Sequence, residues 1–94
     1  MQHYNRAVEL DRNNIETRYN RSILLLRLKR FKEAEQALQK VVEQKQGFKE
    51  AYNNLGVARE HLGNIEAAIA SYRQALKIDS NFKDARQNLE RLQK

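Results

Sequence analysis

The sequence predicts an all-α chain built as a solenoid of antiparallel helix hairpins, and three observations carry that expectation. Proline is absent, glycine occurs three times, and Glu, Gln, Lys, Arg, Leu and Ala dominate. Those side chains lose little rotamer freedom in a helix, and β-branched residues are too scattered to build strands. The chain also aligns with itself when shifted by 34 residues, and within each such unit apolar residues recur at steps of three and four.

The shift puts Tyr4, Leu38 and Tyr72 in step, along with Ala7, Val41 and Ala75. Ala34 with Ala68, Leu28 with Leu62, and Phe48 with Phe82 follow the same register. A fixed period of matched small and large apolar residues means stacked copies of one supersecondary unit. Two full units, 15–48 and 49–82, are flanked by a second half at 1–14 and a first half at 83–94. All of 1–94 forms a single domain on this reading.

Six helices are expected, over roughly 2–11, 15–28, 31–45, 49–62, 65–78 and 83–93. In the second unit, Ala51, Leu55, Ala58 and Leu62 trace one helix face. Ile65, Ala68, Ile69, Tyr72, Ala75 and Leu76 trace the next, after Gly63-Asn64. Gly63 suits the left-handed conformation that ends a helix. Small Ala68 and Ala75 let the two helices approach closely. Asn13, Gly47 and Asn81, each followed three residues later by Glu16, Glu50 or Asp84, are the expected caps, with the acids in a structural role.

These residues carry a resemblance. Lys49–Phe82 resembles a tetratricopeptide repeat: Tyr52, Leu55 and Gly56 lead into Ala68, Tyr72 and Ala75, with Ser80 where that family usually has proline. Ile15–Phe48 is a more divergent copy, with Arg18, Arg21 and Ser22 in place of Tyr52, Leu55 and Gly56. The resemblance implies a right-handed superhelical solenoid whose first helices line a concave groove for a partner protein or peptide. A chain that opens in mid-repeat suggests a piece of a longer solenoid, or an edge left for self-association.

Composition narrows the chemistry. There is no cysteine, which removes disulfides, thiol nucleophiles and thiolate metal sites. The longest aliphatic run, Ile23 to Leu26, is far short of the roughly 20 residues of a membrane span. The N-terminus lacks the layout of a signal peptide. A soluble and cytoplasmic setting is the expectation, although no residue names a compartment. His3 and His61 lie far apart in the pattern, and Ser22, Ser71 and Ser80 have no histidine and acid arranged with them. No catalytic centre, metal or cofactor is expected.

The formal net charge of +6 is unevenly spread: Arg18, Arg21, Arg27, Lys29, Arg30 and Lys32 fall between Thr17 and Lys32 with no acid among them. That run reads as a solvated face or as a patch for an acidic partner.

Candidate groove residues come from the first helix of each unit. Asn20, Asn54 and Asn88 are each 34 apart, and their amides could hold the backbone of an extended peptide as a ladder; asparagine is also the ordinary family residue there. Asn53 lies beside them. Tyr19, Ile23, Leu26 and Val57 are expected to take apolar side chains of the partner, unless Met1 to Asp11 or a second chain covers them. Arg27, His61 and Arg91 would favour an acidic group or a C-terminal carboxylate. Family members that bind chaperone tails carry a clamp of Lys, Asn, Asn, Lys and Arg. Here those places hold Tyr19, Ile23, Asn54, Asp84 and Asn88, so tight binding of such tails is not expected. Two further readings stand beside peptide capture: assembly of copies through the half-repeat ends, and RNA binding, which the 34-residue period disfavours.

Overall fold

A computed structural model describes residues 14–93, which form five helices and no strand. They are α1 (Ile15–Arg27), α2 (Phe31–Gln44), α3 (Lys49–His61), α4 (Ile65–Ile78) and α5 (Lys83–Leu92). The observed ends lie within one residue of those expected from the sequence, and the expected helix at 2–11 lies outside the described residues. Each helix packs on the next, and α1 also touches α3. The result is an elongated helical-repeat solenoid, 55 × 26 × 16 Å, with a radius of gyration of 14.4 Å. A compact domain of this length would give about 12 Å.

Sequence punctuation sets the hairpins. At the end of α3, the Gly63 and Asn64 amides donate to the carbonyls of Glu60 and Arg59 at 3.0 and 2.9 Å, with Gly63 at φ 85°. Lys29 and Arg30 do the same to Leu26 and Leu25, so Lys29 sits at φ 62° in the left-handed region. The same turn is thus made once with glycine and once with a side chain that strains it.

The caps differ from expectation. Asn14, not Asn13, caps α1, its Oδ1 accepting from the Glu16 and Thr17 amides at 2.8 and 3.2 Å. Phe48 and Phe82 hold the cap positions of α3 and α5, rather than Gly47 and Asn81, and neither makes a side-chain cap bond. The reason is packing: Phe48 turns its ring into the core against Tyr19, centroids 4.6 Å apart, so the helix begins one residue late. Glu16, Glu50 and Asp84 consequently stand in the first turn, still favourably placed against the helix dipole.

The core runs along the hairpin seams. Leu38, Val41, Val42, Ala51 and Leu55 form one buried cluster, and Leu25, Ala34 and Ala58 another. Arg18, Arg21 and Ser22 do not disrupt the first unit. Ser22 is fully buried and donates to the Tyr19 carbonyl. Its counterpart Gly56 has no such room, because a Cβ there would lie 2.6 Å from the Tyr72 ring. The first unit places the smaller Leu38 where the second has Tyr72, which leaves space for the serine side chain.

Candidate functional site

The first helices α1, α3 and α5 carry every residue singled out for the groove, and the structure sorts those residues into distinct environments. Tyr19 and Leu26 are partly buried and pack on the core, so neither is a free apolar anchor. The physical reason is that both lie at the α1–α3 seam, where burying an aromatic or aliphatic body is favourable. Ile23 and Val57 are partly exposed and belong to neither core cluster.

The asparagines are in register but not chemically equivalent. Asn54 donates Nδ2 to the Tyr19 hydroxyl at 2.9 Å, and Asn88 donates Nδ2 to Asn53 Oδ1 at 3.1 Å. One inter-repeat bond is therefore made twice, between residues 35 apart. Asn88 is closed on its other side too, since its Oδ1 accepts from Arg91 at 3.1 Å. Asn54 keeps Oδ1 without a partner among the described residues. Asn20 is exposed and makes no side-chain bond among them. Asn53, only 8% exposed, is a buried acceptor rather than a groove contact.

The cations divide in the same way. Arg91 is paired with Glu60 through two contacts, one at 3.0 Å, and Glu60 also accepts from the Tyr72 hydroxyl at 2.9 Å. The guanidinium bond holds the Glu60 carboxyl below its ordinary range, ahead of the opposing effect of burial. Burial first, and then the hydrogen bond to the Glu60 carboxylate, push the Tyr72 hydroxyl upward. Arg91 is thus already occupied by a carboxylate of its own chain. His61 is exposed, with Nδ1 3.0 Å from the Val57 carbonyl and its ring stacked on Phe31 at 4.3 Å. Arg27 is exposed and has no ion-pair partner among the described residues.

Sequence reasoning missed Glu60, which engages Arg91 of α5, and read Glu50 only as a cap acid, whereas its charge joins burial in raising the Tyr19 hydroxyl pKa. A charged pattern alone gives no hint that Glu60 and Arg91 meet, because they are 31 residues apart. It also missed Arg59, which bridges α2 and α4. Its guanidinium donates to Glu35 at 3.2 Å, Gln39 at 3.0 Å and the Ser71 hydroxyl at 2.9 Å. This staple lines an open cleft of about 480 Å³.

Among the described residues no group of His, Cys, Asp or Glu could hold a metal ion, and no helix is long and apolar enough to cross a membrane. The clamp positions read from the sequence hold a partly buried tyrosine, an isoleucine, Asn54, an exposed Asp84 and the fully engaged Asn88.

Comparison with known proteins gives the lineage. Two tetratricopeptide repeat models match, one over residues 50–82 and one over 1–57. The heat shock protein STI1 of Saccharomyces cerevisiae is 30% identical over 97 residues, which cover 95% of this chain and 16% of that protein. Among solved structures, the first TPR of Spaghetti (RPAP3), bound to the HSP90 peptide SRMEEVD, superposes with a TM-score of 0.86 at 28% identity. The match covers 96% of this chain and 71% of that one. The Arabidopsis OM64 TPR domain gives 0.85 at 32% identity, over 95% of this chain and 74% of that one. The chain spans about one-sixth of the length of its yeast relative (16%). With one repeat model matching residues 1–57 and a second taking up the rest to Phe82, the chain belongs to the tetratricopeptide repeat family.

Proposed function

We propose that this chain is a non-catalytic protein-interaction module that binds an extended peptide or partner segment along the face of α1, α3 and α5. The observation that carries the reading is the graded set of asparagines. Asn20 and the Oδ1 of Asn54 remain available to a ligand backbone, whereas Asn88 is consumed by Asn53 and Arg91. Contact is therefore concentrated on α1 and α3. The bond from Asn54 Nδ2 to Tyr19 orients that amide in advance, which lowers the ordering cost of a hydrogen bond to the ligand. Ile23 and Val57 offer apolar contact beside it, and unpaired Arg27 with exposed His61 favours an acidic group at the far end of α1 and α3.

Affinity capture from a cell lysate tests the reading, using the natural chain and an Asn20→Ala/Asn54→Ala variant that circular dichroism finds equally folded. Retention of a partner by the natural chain and its loss in the variant supports the groove. Capture of the same partner by both moves binding elsewhere.

The similarity to a domain bound to SRMEEVD makes the chaperone tail a direct test of specificity. Tyr19, Ile23, Asp84 and Asn88 replace the lysine, asparagine, lysine and arginine of the clamp, so three cationic contacts are missing and an acid stands in one of their places. Calorimetry with SRMEEVD should give no sub-micromolar binding; an affinity in that range would overturn this assignment.

A further inference from the structure

The cleft beside Arg59 lies between α2 and α4, with α3 beneath it, and holds about 480 Å³. All three walls belong to the described residues, and none of the lining residues is one of the groove candidates. Val42 and Leu55, 4% and 2% exposed, form an apolar floor, and partly buried Tyr52 adds an aromatic side. In step with Tyr52, Leu55, Arg59 and Gln74, the first unit carries Arg18, Arg21, Leu25 and Lys40. The chemistry of this cleft is therefore its own and not that of the repeat plan.

Hydrogen bonding separates the groups that are spent from those that are not. The Arg59 guanidinium donates to Glu35, Gln39 and Ser71, and the Glu35 carboxylate matches its charge. Gln39, having accepted from Arg59, donates its Nε2 to Glu43 Oε2 at 3.2 Å. Glu43 is exposed, makes no ion pair among the described residues and keeps its other carboxylate oxygen unbonded there. The Gln46 and Gln74 amides and the Tyr52 hydroxyl also line the cleft, with no side-chain hydrogen bond among the described residues. What remains is one negative charge and a set of neutral acceptors around an apolar floor.

An anion would be repelled by Glu43 and would find the Arg59 charge already matched. A cation meets the opposite conditions. Acceptors spread over several side chains suit arginine better than lysine, because its planar head offers several N–H donors in a fixed fork while its stem covers apolar surface. An aromatic ring alongside adds to that preference. We propose that the cleft takes an arginine side chain of a partner protein, its guanidinium held by Glu43 and the Gln46 and Gln74 amides and its stem laid over Val42 and Leu55. This contact is independent of the peptide groove.

The test is an NMR titration of the isotope-labelled full chain with a short end-blocked peptide, Gly-Leu-Arg-Leu-Gly. Companion peptides carry lysine, citrulline or glutamate in place of the arginine. The expected result is saturable, salt-sensitive shifts in the side-chain amides of Gln39, Gln46 and Gln74. The lysine peptide should bind about threefold more weakly, and the citrulline and glutamate peptides at least about tenfold more weakly. Glu43→Gln should weaken the arginine peptide at least about fivefold, and Gln74→Lys, which adds a cation to the cleft, by at least as much. Neither side chain is buried, so the fold should survive, and circular dichroism checks that it does. Equal responses to the arginine and citrulline peptides, or none at tens of millimolar, overturn the proposal. So does unchanged binding in Glu43→Gln. Preference for the glutamate peptide would assign the cleft to an anion on Arg59 instead, and shifts confined to Asn20 and Asn54 would put the peptide in the groove; either result contradicts the arginine site.

Discussion

Units 15–48 and 49–82 share one backbone plan but hold their neighbours by different chemistry. In the second unit Tyr72, Glu60 and Arg91 make a polar layer that ties α4, α3 and α5 together. The three positions in step with them hold Leu38, Leu26 and Val57. Arg59, which bridges α2 and α4, likewise corresponds to Leu25, buried with Ala34 and Ala58. At the positions of that layer the first unit meets α3 by apolar packing. Its polar links to α3 run instead through Tyr19 with Asn54 and through Glu35 and Gln39 with Arg59. The second meets α5 by the Glu60–Arg91 ion pair and the Asn53–Asn88 hydrogen bond. Polar layers are directional, so α5 is held in a specific register and its groove-facing Asn88 and Arg91 are used up. Apolar packing at Leu26, Leu38 and Val57 is not directional and leaves no such layer over the end of α1. That difference leaves Asn20 and Arg27 open on α1.

The comparison can be broken most severely at the close approach of the second unit. A methyl group on Gly56 would meet the Tyr72 ring at 2.6 to 2.9 Å. The ring cannot give way readily, because it is fully buried and its hydroxyl is bound to Glu60. Gly56→Ala should therefore cost about 2 kcal/mol, with overpacking outweighing the roughly 1 kcal/mol of helix propensity gained. Denaturant titration checks it. Ser22→Ala in the first unit should change stability by less than about 1 kcal/mol, losing one hydrogen bond but no space. Adding Tyr72→Leu to Gly56→Ala, which recreates the pairing of the first unit, should show favourable coupling.

The turns sharpen the comparison by a smaller amount. Lys29 and Gly63 occupy the same left-handed position, at φ 62° and 85°. Lys29→Gly should stabilise the chain by about 1 kcal/mol and Gly63→Ala should destabilise it by about as much. Equal and negligible effects in thermal melts would mean that the turn is relaxed in solution.

Much of this architecture is legible in the sequence. The 34-residue register, the small residues at Ala34 and Ala68, and Gly63 after the helix are local or periodic signals. The cap positions were off by one, because Asn13 and Asn14 are equally good caps on paper and only the burial of Phe48 decides the analogous start of α3. The candidate site was legible as a set of positions but not as a set of available groups. Whether Asn88 or Arg91 is free depends on partners 35 and 31 residues away, in helices whose facing geometry a single sequence does not display.

The smallest effect concerns acid. Arg91 depresses the Glu60 carboxyl, so the pairing stabilises the fold above the ordinary carboxylate range and is lost as pH falls through the depressed value. Because Arg91 is more than half exposed, screening limits the contribution to about 0.5 kcal/mol. Thermal melts of the natural chain and Glu60→Gln should differ at pH 7 and converge toward pH 3. A constant difference across that range would remove the charge from the account.

The most direct measurement is calorimetric affinity for whichever partner the natural chain captures, compared across Asn20→Ala/Asn54→Ala and Asn88→Ala, each confirmed folded. A chain gripped at α1 and α3 should lose at least about tenfold in the first variant and less than about twofold in the second. Equal losses in both would mean that the three asparagines act as one ladder, contradicting the division between an open first unit and a closed α5 end.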